Sequence, residues 1–224
     1  ILTGGGTLGG TATVNTTAGG LATFTGLSIT GVVGARTLLF SSAGLTPDTS
    51  AAVTVTAGVA TQIAINAGNG QSAAVNTAVA TPPSAIVRDV SNNPVAGVSV
   101  SFAVASGGGS ILPVTPVVSN ASGIAALTSW TMGTVAGPNS ITAASGTLIG
   151  SPVTFTATGT AGAATQLQVA TQPSPTAQSG VAFAVQPAIR LADALGNPVA
   201  TSGTVVTAAI GSGITSTRRA PAPS

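Results

Sequence analysis

Apolar and polar residues alternate along much of the chain, as they do in strands that bury one face. In the clearest stretch, Val98, Val100 and Phe102 are separated by serines. Successive side chains of a strand point to opposite faces of the sheet, so a period of two predicts one apolar face on a core. Val153 and Phe155 alternate in the same way with threonines. We predict a strand in each of these stretches.

Turn-forming residues separate such stretches at intervals of roughly ten residues, and no segment has the period of an amphipathic helix. The turn signals are Asn69-Gly70, Asn92-Asn93-Pro94, Gly107-Gly108-Gly109, Ser122-Gly123, Gly137-Pro138-Asn139 and Gly150-Ser151-Pro152. Short strands at this spacing favour an all-β fold made of immunoglobulin-like β-sandwich repeats, in which two sheets face each other.

An internal repeat organises the chain. The segment Ala60-Thr61-Gln62 recurs as Ala164-Thr165-Gln166, 104 positions later. At the same offset Asp89 matches Asp193, and Asn93-Pro94-Val95-Ala96 matches Asn197-Pro198-Val199-Ala200. The other half of the unit repeats at an offset of 103, where Gly20-Leu21-Ala22 matches Gly123-Ile124-Ala125 and Leu27 falls on Trp130. A three-residue slip then brings Val53 and Val55 onto Val153 and Phe155.

This repeat predicts three segments. Residues 1–58 are the C-terminal part of a repeat, residues 59–162 are a complete domain, and residues 163–224 are the N-terminal part of a repeat followed by an unstructured tail. The tail, from Thr217 to Ser224, matches nothing in the other units. Because the first and last segments are complementary parts of one unit, we expect the chain to be an excerpt of a longer array.

Two partial repeats would expose sheet edges and half of a core, which favours self-association. Residues 163–217 of one molecule could complete residues 1–58 of another, and this head-to-tail contact would produce fibres. The alternative is that each end folds loosely by itself.

Residues 59–162 resemble the bacterial Ig-like domains, group 1, of the invasin and intimin adhesins. The resemblance lies in Val87-Arg88-Asp89, Asn93-Pro94-Val95-Ala96-Gly97-Val98-Ser99-Val100-Ser101-Phe102, Ala121-Ser122-Gly123-Ile124-Ala125, Trp130-Thr131-Met132-Gly133-Thr134-Val135-Ala136-Gly137 and Pro152-Val153-Thr154-Phe155-Thr156-Ala157. It implies rod-like stacks of sandwiches that hold a terminal binding domain away from the cell, and an extracellular or cell-surface location. It implies no residue-level site. The flanking segments are more diverged, with Leu27 in the place of the tryptophan.

Charged residues form only 4% of the chain, so the polar surface must come from Thr, Ser, Asn and Gln. The pI of 11.4 arises from five arginines against three aspartates. Because the arginines are scattered or lie in the tail, they form no basic face of the kind that binds phosphates, and we expect no nucleic-acid partner. They are Arg36, Arg88, Arg190, Arg218 and Arg219. No apolar run reaches the roughly 20 residues that a spanning helix needs, so we do not expect the chain to span a membrane.

Few groups could carry out catalysis. The chain has no His, Cys, Lys or Glu, and its acids are Asp48, Asp89 and Asp193. A nucleophilic serine needs a base, glycoside hydrolysis needs two acids in one cleft, and metals need clustered ligands. We therefore expect no enzyme activity, no cofactor, and no catalytic, cofactor-binding or metal-binding residue. Asp89 is expected to hydrogen-bond the turn at residues 91–93, and a calcium site at a domain junction is the weaker alternative.

Glycine runs and aromatic residues also have structural interpretations. The runs at residues 4–6 and 107–109 lack the following Lys of a phosphate-binding loop, so we expect loops between strands at matching places in the repeat. Trp130 is expected in the core, and a carbohydrate-stacking platform is the alternative. The five phenylalanines are also expected in the core: Phe24, Phe40, Phe102, Phe155 and Phe183.

The leading functional hypothesis is a structural stalk or spacer module of a bacterial cell-surface or secreted adhesin-like protein. One alternative is an adhesin module that binds a glycan or another cell-surface ligand. Another is an accessory domain of a secreted enzyme. The sequence identifies no ligand and no residue that would bind one.

Overall fold

The structure is a computed structural model that describes residues 1–211, and within this range the chain is all-β. The predicted tail, Thr217 to Ser224, lies outside the described residues. The strands are β1 (Thr7–Gly9), β2 (Ser28–Thr30), β3 (Gly34–Arg36), β4 (Leu39–Phe40), β5 (Asp48–Thr49), β6 (Val53–Val55), β7 (Gln62–Ala67), β8 (Gln71–Ala74), β9 (Ser84–Arg88), β10 (Ser99–Ser106), β11 (Ser110–Leu112), β12 (Val117–Val118), β13 (Ile124–Ala126), β14 (Ser129–Thr131), β15 (Gly137–Ala144), β16 (Val153–Thr160), β17 (Gln166–Thr171) and β18 (Ala188–Ala192). In the described part of the chain, no helix has the length and hydropathy needed to cross a bilayer.

Residues 59–162, here called the central unit, form a β-sandwich. One sheet has the order β12-β10-β15-β16-β8 and the other has the order β13-β9-β7, while β11 and β14 form a separate pair. The chain changes sheets between β7 and β8: β7 pairs antiparallel with β9, and β8 pairs parallel with β16. The all-β sandwich expected from the alternating pattern is confirmed.

The core of the central unit is filled from both sheets and from the β11–β14 pair. Phe155 and Ile141 come from the larger sheet, Val87 comes from the smaller one, and Trp130 comes from β14; none of the four is accessible to solvent. The rings of Phe102 and Phe155 lie 6.3 Å apart. Trp130 is therefore a core residue as predicted, and the alternative of a carbohydrate-stacking platform at this residue is wrong.

The flanking segments repeat the strand pairs of the central unit. Residues 1–58 are called the front segment and residues 163–211 the rear segment. In the rear segment β17 pairs with β18 in the register of β7 with β9, including the same irregularity near the end of the first strand. In the front segment β3 pairs with β6, as β15 pairs with β16. Each flank thus contains strand pairs that match one part of the sandwich.

The register corrects the sequence alignment at Trp130. In the central unit Trp130 faces Ile111 across the β11–β14 pair, and in the front segment Ile29 faces Leu8 across β1–β2. Ile29, not Leu27, therefore occupies the place of the tryptophan. The central unit has two more residues after this strand, and one of them, Met132, is buried in the core. An alignment without a gap misses this insertion.

The predicted slip between Val53 and Val153 is also wrong. Gly34 pairs with Val55, whereas its counterpart Gly137 pairs with Gly159. Val55 therefore corresponds to Gly159, 104 positions later, and the offset hardly changes between these strands. Threonine alternates with small or apolar residues whether Val55 is aligned with Phe155, as predicted, or with Gly159, as the register shows. The sequence pattern alone therefore could not distinguish the two alignments.

The prediction that all five phenylalanines are core residues holds for only two of them. Phe102 and Phe155 are buried, whereas Phe40 is 37% exposed and Phe183 is 43% exposed. Phe24 is half-buried and its ring lies 5.4 Å from that of Phe40. The exposed rings belong to the flanks, because each flank contains only part of the apolar surface that closes the core in the central unit.

Replacing Trp130 should reveal the cost of its unpaired donor. Its indole N–H is buried and has no hydrogen-bond partner within the described residues, a situation that costs about 1–3 kcal/mol. Trp130→Ala should destabilise the central unit by about 3–5 kcal/mol through the cavity it leaves. Trp130→Phe keeps most of the volume and removes the unpaired donor, so the loss should be under about 2 kcal/mol.

Urea unfolding measures the loss of unfolding free energy in both variants. It is followed by circular dichroism because Trp130 is the only tryptophan, so neither variant has tryptophan fluorescence to follow. Equal losses for the two variants would contradict the prediction.

Candidate functional site: the junctions between repeats

Asp89 begins a tight turn directly after β9. Its Oδ1 accepts hydrogen bonds from the backbone N–H of Ser91 at 2.8 Å and of Asn93 at 2.9 Å. A short carboxylate side chain commonly closes a turn on the backbone two residues further on. The expected interaction of Asp89 with the turn at residues 91–93 is confirmed.

The second oxygen of Asp89 connects this turn to the preceding segment. Asp89 Oδ2 accepts a hydrogen bond from Gly58 N at 2.8 Å and another from Asn93 Nδ2 at 2.9 Å. Gly58 lies in the connection between β6 and β7, where the front segment passes into the central unit. One carboxylate therefore ties the connection to the turn that follows β9.

Asn93 extends this network to a loop of the front segment. Its Nδ2 donates to Gly31 O at 2.9 Å, and its Oδ1 accepts from Val33 N at 2.8 Å. Both partners lie in the loop between β2 and β3, about sixty positions earlier in the chain. Because the amide uses its donor and its acceptor on the same loop, it holds that loop in one orientation.

The same arrangement occurs at the next junction. Asp193 Oδ1 accepts from the backbone N–H of Leu195 and of Asn197, and Asp193 Oδ2 accepts from Gly162 N at 2.9 Å. Asn197 Nδ2 donates to Thr134 O at 2.9 Å, and Asn197 Oδ1 accepts from Ala136 N at 2.8 Å. We call each set of contacts the Asp–Asn clamp: Asp89 with Asn93 at the first junction, and Asp193 with Asn197 at the second.

A glutamine supports each clamp from the first strand of its unit. Gln62 Nε2 donates to the backbone carbonyl of Asp89 at 3.0 Å, and Gln166 Nε2 donates to that of Asp193 at 2.6 Å. Gln62 and Gln166 are 104 positions apart, like the aspartates. The backbone of the clamp is therefore held as well as its side chains.

Different side chains hold the loops that the clamps grip. In the front segment the buried Arg36 donates from Nε to Gly5 O at 2.9 Å, from Nη1 to Ala35 O at 2.9 Å and from Nη2 to Val32 O. Asn139 occupies the matching strand position in the central unit. It accepts from Gly133 N at 3.3 Å and donates to Gly137 O at 3.0 Å. A buried polar side chain thus fixes each gripped loop.

The glycine runs lie beside these two side chains. Gly4 (φ +80°) and Gly107 (φ +79°) adopt left-handed backbone conformations, and a Cβ on either would collide with Arg36 or Asn139 respectively. Only glycine suits both requirements. The expectation that the two runs are loops at matching places in the repeat is confirmed.

Hydrogen bonding keeps both clamp carboxylates charged. Burial, with each side chain only 3% exposed, pushes the pKa of Asp89 and Asp193 upward. The amide of the partner asparagine and three backbone N–H groups donate to each carboxylate, and they outweigh burial. The pKa of Asp193 is lowered from 3.8 to about 2, and that of Asp89 is also lowered.

The clamps are filled with N–H donors, whereas a cation needs oxygen ligands. Both oxygens of Asp89 already accept hydrogen bonds, and so do both oxygens of Asp193. Within residues 1–211 no group of three or more His, Cys, Asp or Glu side chains could hold a metal ion. The hydrogen bonds of each clamp connect two segments of the chain.

The sequence analysis found Asp89 and Asp193. It missed that the two asparagines hydrogen-bond a loop of the preceding segment and that Gly58 and Gly162 donate to the aspartates. A signal was present, since Gly58 and Gly162 are also 104 positions apart, as are Asn93 and Asn197. The repeat therefore marked the clamp residues. It could not show that their partners lie in a different segment.

No protein-family model matches the chain, and the search of curated proteins found no match. Among solved structures, the S-layer protein rSbsC(31-844) is similar at 20% identity with a TM-score of 0.36, over 72% of this chain and 20% of that one. Domains 1-6 of the surface layer protein SbsC give 20% identity and a TM-score of 0.36, over 70% of this chain and 19% of that one. The chain thus spans about a fifth of the length of the structures it matches. A likeness of this extent does not bear on function.

Acid should weaken the clamps. Because folding lowers the pKa of Asp193 from 3.8 to about 2, the unfolded chain binds more protons than the folded chain in this range. The stabilisation is complete above pH 3.8 and is lost as the pH falls through about 2. Asp89 should contribute in the same direction, since its pKa is also lowered.

Thermal unfolding between pH 6 and pH 2 measures this loss. The double variant Asp89→Ala, Asp193→Ala should have a flatter profile than the parent. The control is Asn120→Ala, because Asn120 also accepts two backbone N–H groups in a turn but carries no charge, so its profile should keep the slope of the parent. A double variant with an unchanged slope would show that the clamps are not the acid-sensitive element.

Proposed function

We propose that the chain is a structural spacer, or stalk, module of a bacterial cell-surface or secreted adhesin-like protein. The observation that carries this proposal is the recurrence of the Asp–Asn clamp at two successive junctions with the same atoms in the same roles. A repeat protein whose junctions are identical adds the same step with each unit. Its length then grows in proportion to the number of repeats.

Each junction is held at two separate points. The aspartate binds the backbone of the connection, at Gly58 or Gly162, and the asparagine binds a loop of the preceding unit. Asn93 is 3% exposed and Asn197 is 5% exposed, so water competes little for these hydrogen bonds. Two attachments resist bending better than a flexible linker, which would leave the units free to rotate.

The dimensions suit a spacer. β16 contains eight residues, which span about 27 Å at the rise of an antiparallel strand. With the loops at both ends, one unit adds roughly 40 Å of length. Distance from a surface is then set by the number of units.

The remaining chemistry supports a structural role. Asp89 and Asp193 are committed to hydrogen bonds in the clamps, and the function that we propose is therefore not enzymatic. The resemblance of residues 59–162 to the group 1 bacterial Ig-like domains of adhesins supports the same role and a surface location. In this proposal a ligand-binding head would be a different domain.

Distance measurements across the first junction test the proposal. Thr54 in β6 and Thr158 in β16 are exposed and occupy matching strand positions in consecutive units. The chain has no cysteine, so Thr54→Cys with Thr158→Cys gives each molecule one pair of spin labels, placed across the junction. We expect double electron–electron resonance to give a narrow distribution of distances between the two spin labels. Asn93→Ala removes both hydrogen bonds to the loop between β2 and β3 and should broaden the distance distribution.

Asn120→Ala is the matched control. Asn120 Oδ1 also accepts two backbone N–H groups, from Ser122 and Ile124, but both lie in its own turn. This variant should leave the distribution narrow. A broad distribution in the parent chain, or equal broadening by both variants, would rule out a clamped spacer.

A further inference from the structure

The only Asn-Gly pair of the sequence, Asn69-Gly70, lies where the chain passes from one sheet of the central unit to the other. It connects β7 with β8, and both residues are exposed to solvent. Gly70 has a φ of +71°, a left-handed conformation that favours glycine. An asparagine followed by glycine is chemically labile, because glycine has no side chain to hinder the attack of its backbone nitrogen on the asparagine amide. The pair is therefore a candidate site of spontaneous deamidation.

Deamidation at this pair needs only water. The backbone nitrogen of Gly70 loses its proton and bonds to Cγ of Asn69, the bond from Cγ to Nδ2 breaks, and the amide nitrogen takes up a proton and leaves as ammonia. The product is a cyclic succinimide. Water then opens the ring at one of its two carbonyls. Residue 69 becomes either aspartate or isoaspartate, in which the chain continues through the side-chain carbonyl, and each product has one negative charge more than asparagine.

The folded chain holds both reacting groups on one residue of β16. Gly70 N donates to Thr156 O at 2.8 Å. Asn69 Oδ1 accepts from Thr156 N at 2.8 Å and from Thr156 Oγ1 at 3.2 Å. The first hydrogen bond opposes the loss of the proton from the nitrogen, and the other two fix the side-chain amide that the nitrogen must attack. The reaction therefore requires that these hydrogen bonds break first.

The strand pairing that protects the site lies at the edge of a sheet. β8 is the outermost strand of the larger sheet, and it pairs with β16 only from Gln71 to Ala74. Short edge strands separate at a lower free energy than strands in the middle of a sheet. The Gln71 side chain strengthens this edge, because its Nε2 donates to Gly68 O at 2.9 Å and to Thr81 O at 2.7 Å, and its Oε1 accepts from Thr81 N at 2.8 Å.

We propose that Asn69 is a deamidation site whose reactivity is set by the pairing of β8 with β16. The site is protected while the two strands are paired, and it reacts when this edge separates. Aspartate at position 69 keeps a side-chain oxygen that can accept from Thr156 N. Isoaspartate adds one carbon to the backbone between residue 69 and Gly70, so the oxygen and the N–H no longer reach Thr156 together. Formation of isoaspartate then prevents the edge from pairing again in its original register.

Separation of this edge affects the core. Val75, the residue after β8, is 6% exposed, and its N–H donates to Thr160 O at 2.8 Å. Ala73 of β8 packs against the buried core residues. A chain with isoaspartate at position 69 therefore loses part of the cover of its core.

Ageing of the full chain at neutral pH, either folded or in concentrated urea, tests the proposal. Trypsin releases residues 37–88 as one peptide, because the chain has no lysine and no other arginine in this range. Mass spectrometry of this peptide measures deamidation at Asn69, and protein-isoaspartate methyltransferase measures isoaspartate. Deamidation should be roughly tenfold or more slower in the folded chain, because its hydrogen bonds to Thr156 must break first. Equal rates would overturn the proposal, as would the absence of reaction in urea.

Gln71→Ala tests the role of the strand pairing, since it leaves Asn69, Gly70 and Thr156 unchanged. Deamidation of the folded variant should be several-fold faster than that of the parent, and the rates in urea should be equal. Gln62→Ala is the matched control, because Gln62 Nε2 also donates to a backbone carbonyl, at 3.0 Å, but at the other end of β7. The control should keep the rate of the parent. Equal acceleration by both variants, or no acceleration by Gln71→Ala, would contradict control by the β8 edge.

Urea unfolding distinguishes the two products. Asn69→Asp should unfold near the midpoint of the parent, because a carboxylate oxygen replaces the amide oxygen opposite Thr156. An aged sample enriched in isoaspartate should unfold at a lower urea concentration. Trp130 emission follows both transitions, since Trp130 lies in the core of the central unit. An aged sample with the midpoint of the parent would show that isoaspartate does not disturb the β8 edge, and this part of the proposal would be wrong.

Discussion

A charged carboxylate can be buried only where donors surround it, and this constraint shapes both junctions. Asp89 and Asp193 each collect N–H groups from the turn after a strand, from an asparagine side chain and from the connection to the preceding unit. The groups that satisfy the charge belong to parts of the chain that would otherwise be joined only by the backbone. The hydrogen bonds that stabilise the buried carboxylate are therefore the same ones that join the units.

The asparagine makes this arrangement directional. An amide side chain carries both a donor and an acceptor. Asn93 Nδ2 donates to Gly31 O and to Asp89 Oδ2, and Asn93 Oδ1 accepts from Val33 N in the same loop as Gly31. That loop must itself be firm if the contact is to transmit force. Arg36 in the front segment and Asn139 in the central unit meet this need with different chemistry at the same strand position. Each side chain is buried and hydrogen-bonds the backbone of its loop, Arg36 as a donor to Val32 O and Asn139 as an acceptor from Gly133 N.

A β-sandwich needs two apolar faces, and the three parts of the chain differ in how many they have. The central unit has both, so Trp130 and Phe155 are fully buried. Each flank has one, so Leu167 and Phe40 remain open although their sequence patterns are those of core residues. The clamps are formed at both junctions all the same, because they use turns and loops rather than the core. The junction contacts therefore form whether or not a unit has both faces of its core.

The sequence by itself determined the fold class, the repeat and the turn at Asp89. These depend on period-two patterns, on an offset that recurs along the chain and on contacts spanning only a few residues. It also placed Trp130 and Phe155 in the core, because their partners lie in the same unit. Only the tertiary structure decided that Asn93 grips Gly31 and Val33, that Arg36 is buried, and that Ile29 takes the place of the tryptophan. Each of these depends on groups distant in sequence, or on an insertion that only the strand register reveals. The prediction that Phe40 and Phe183 are core residues was wrong, because an apolar pattern indicates which face needs a partner but not whether one is present.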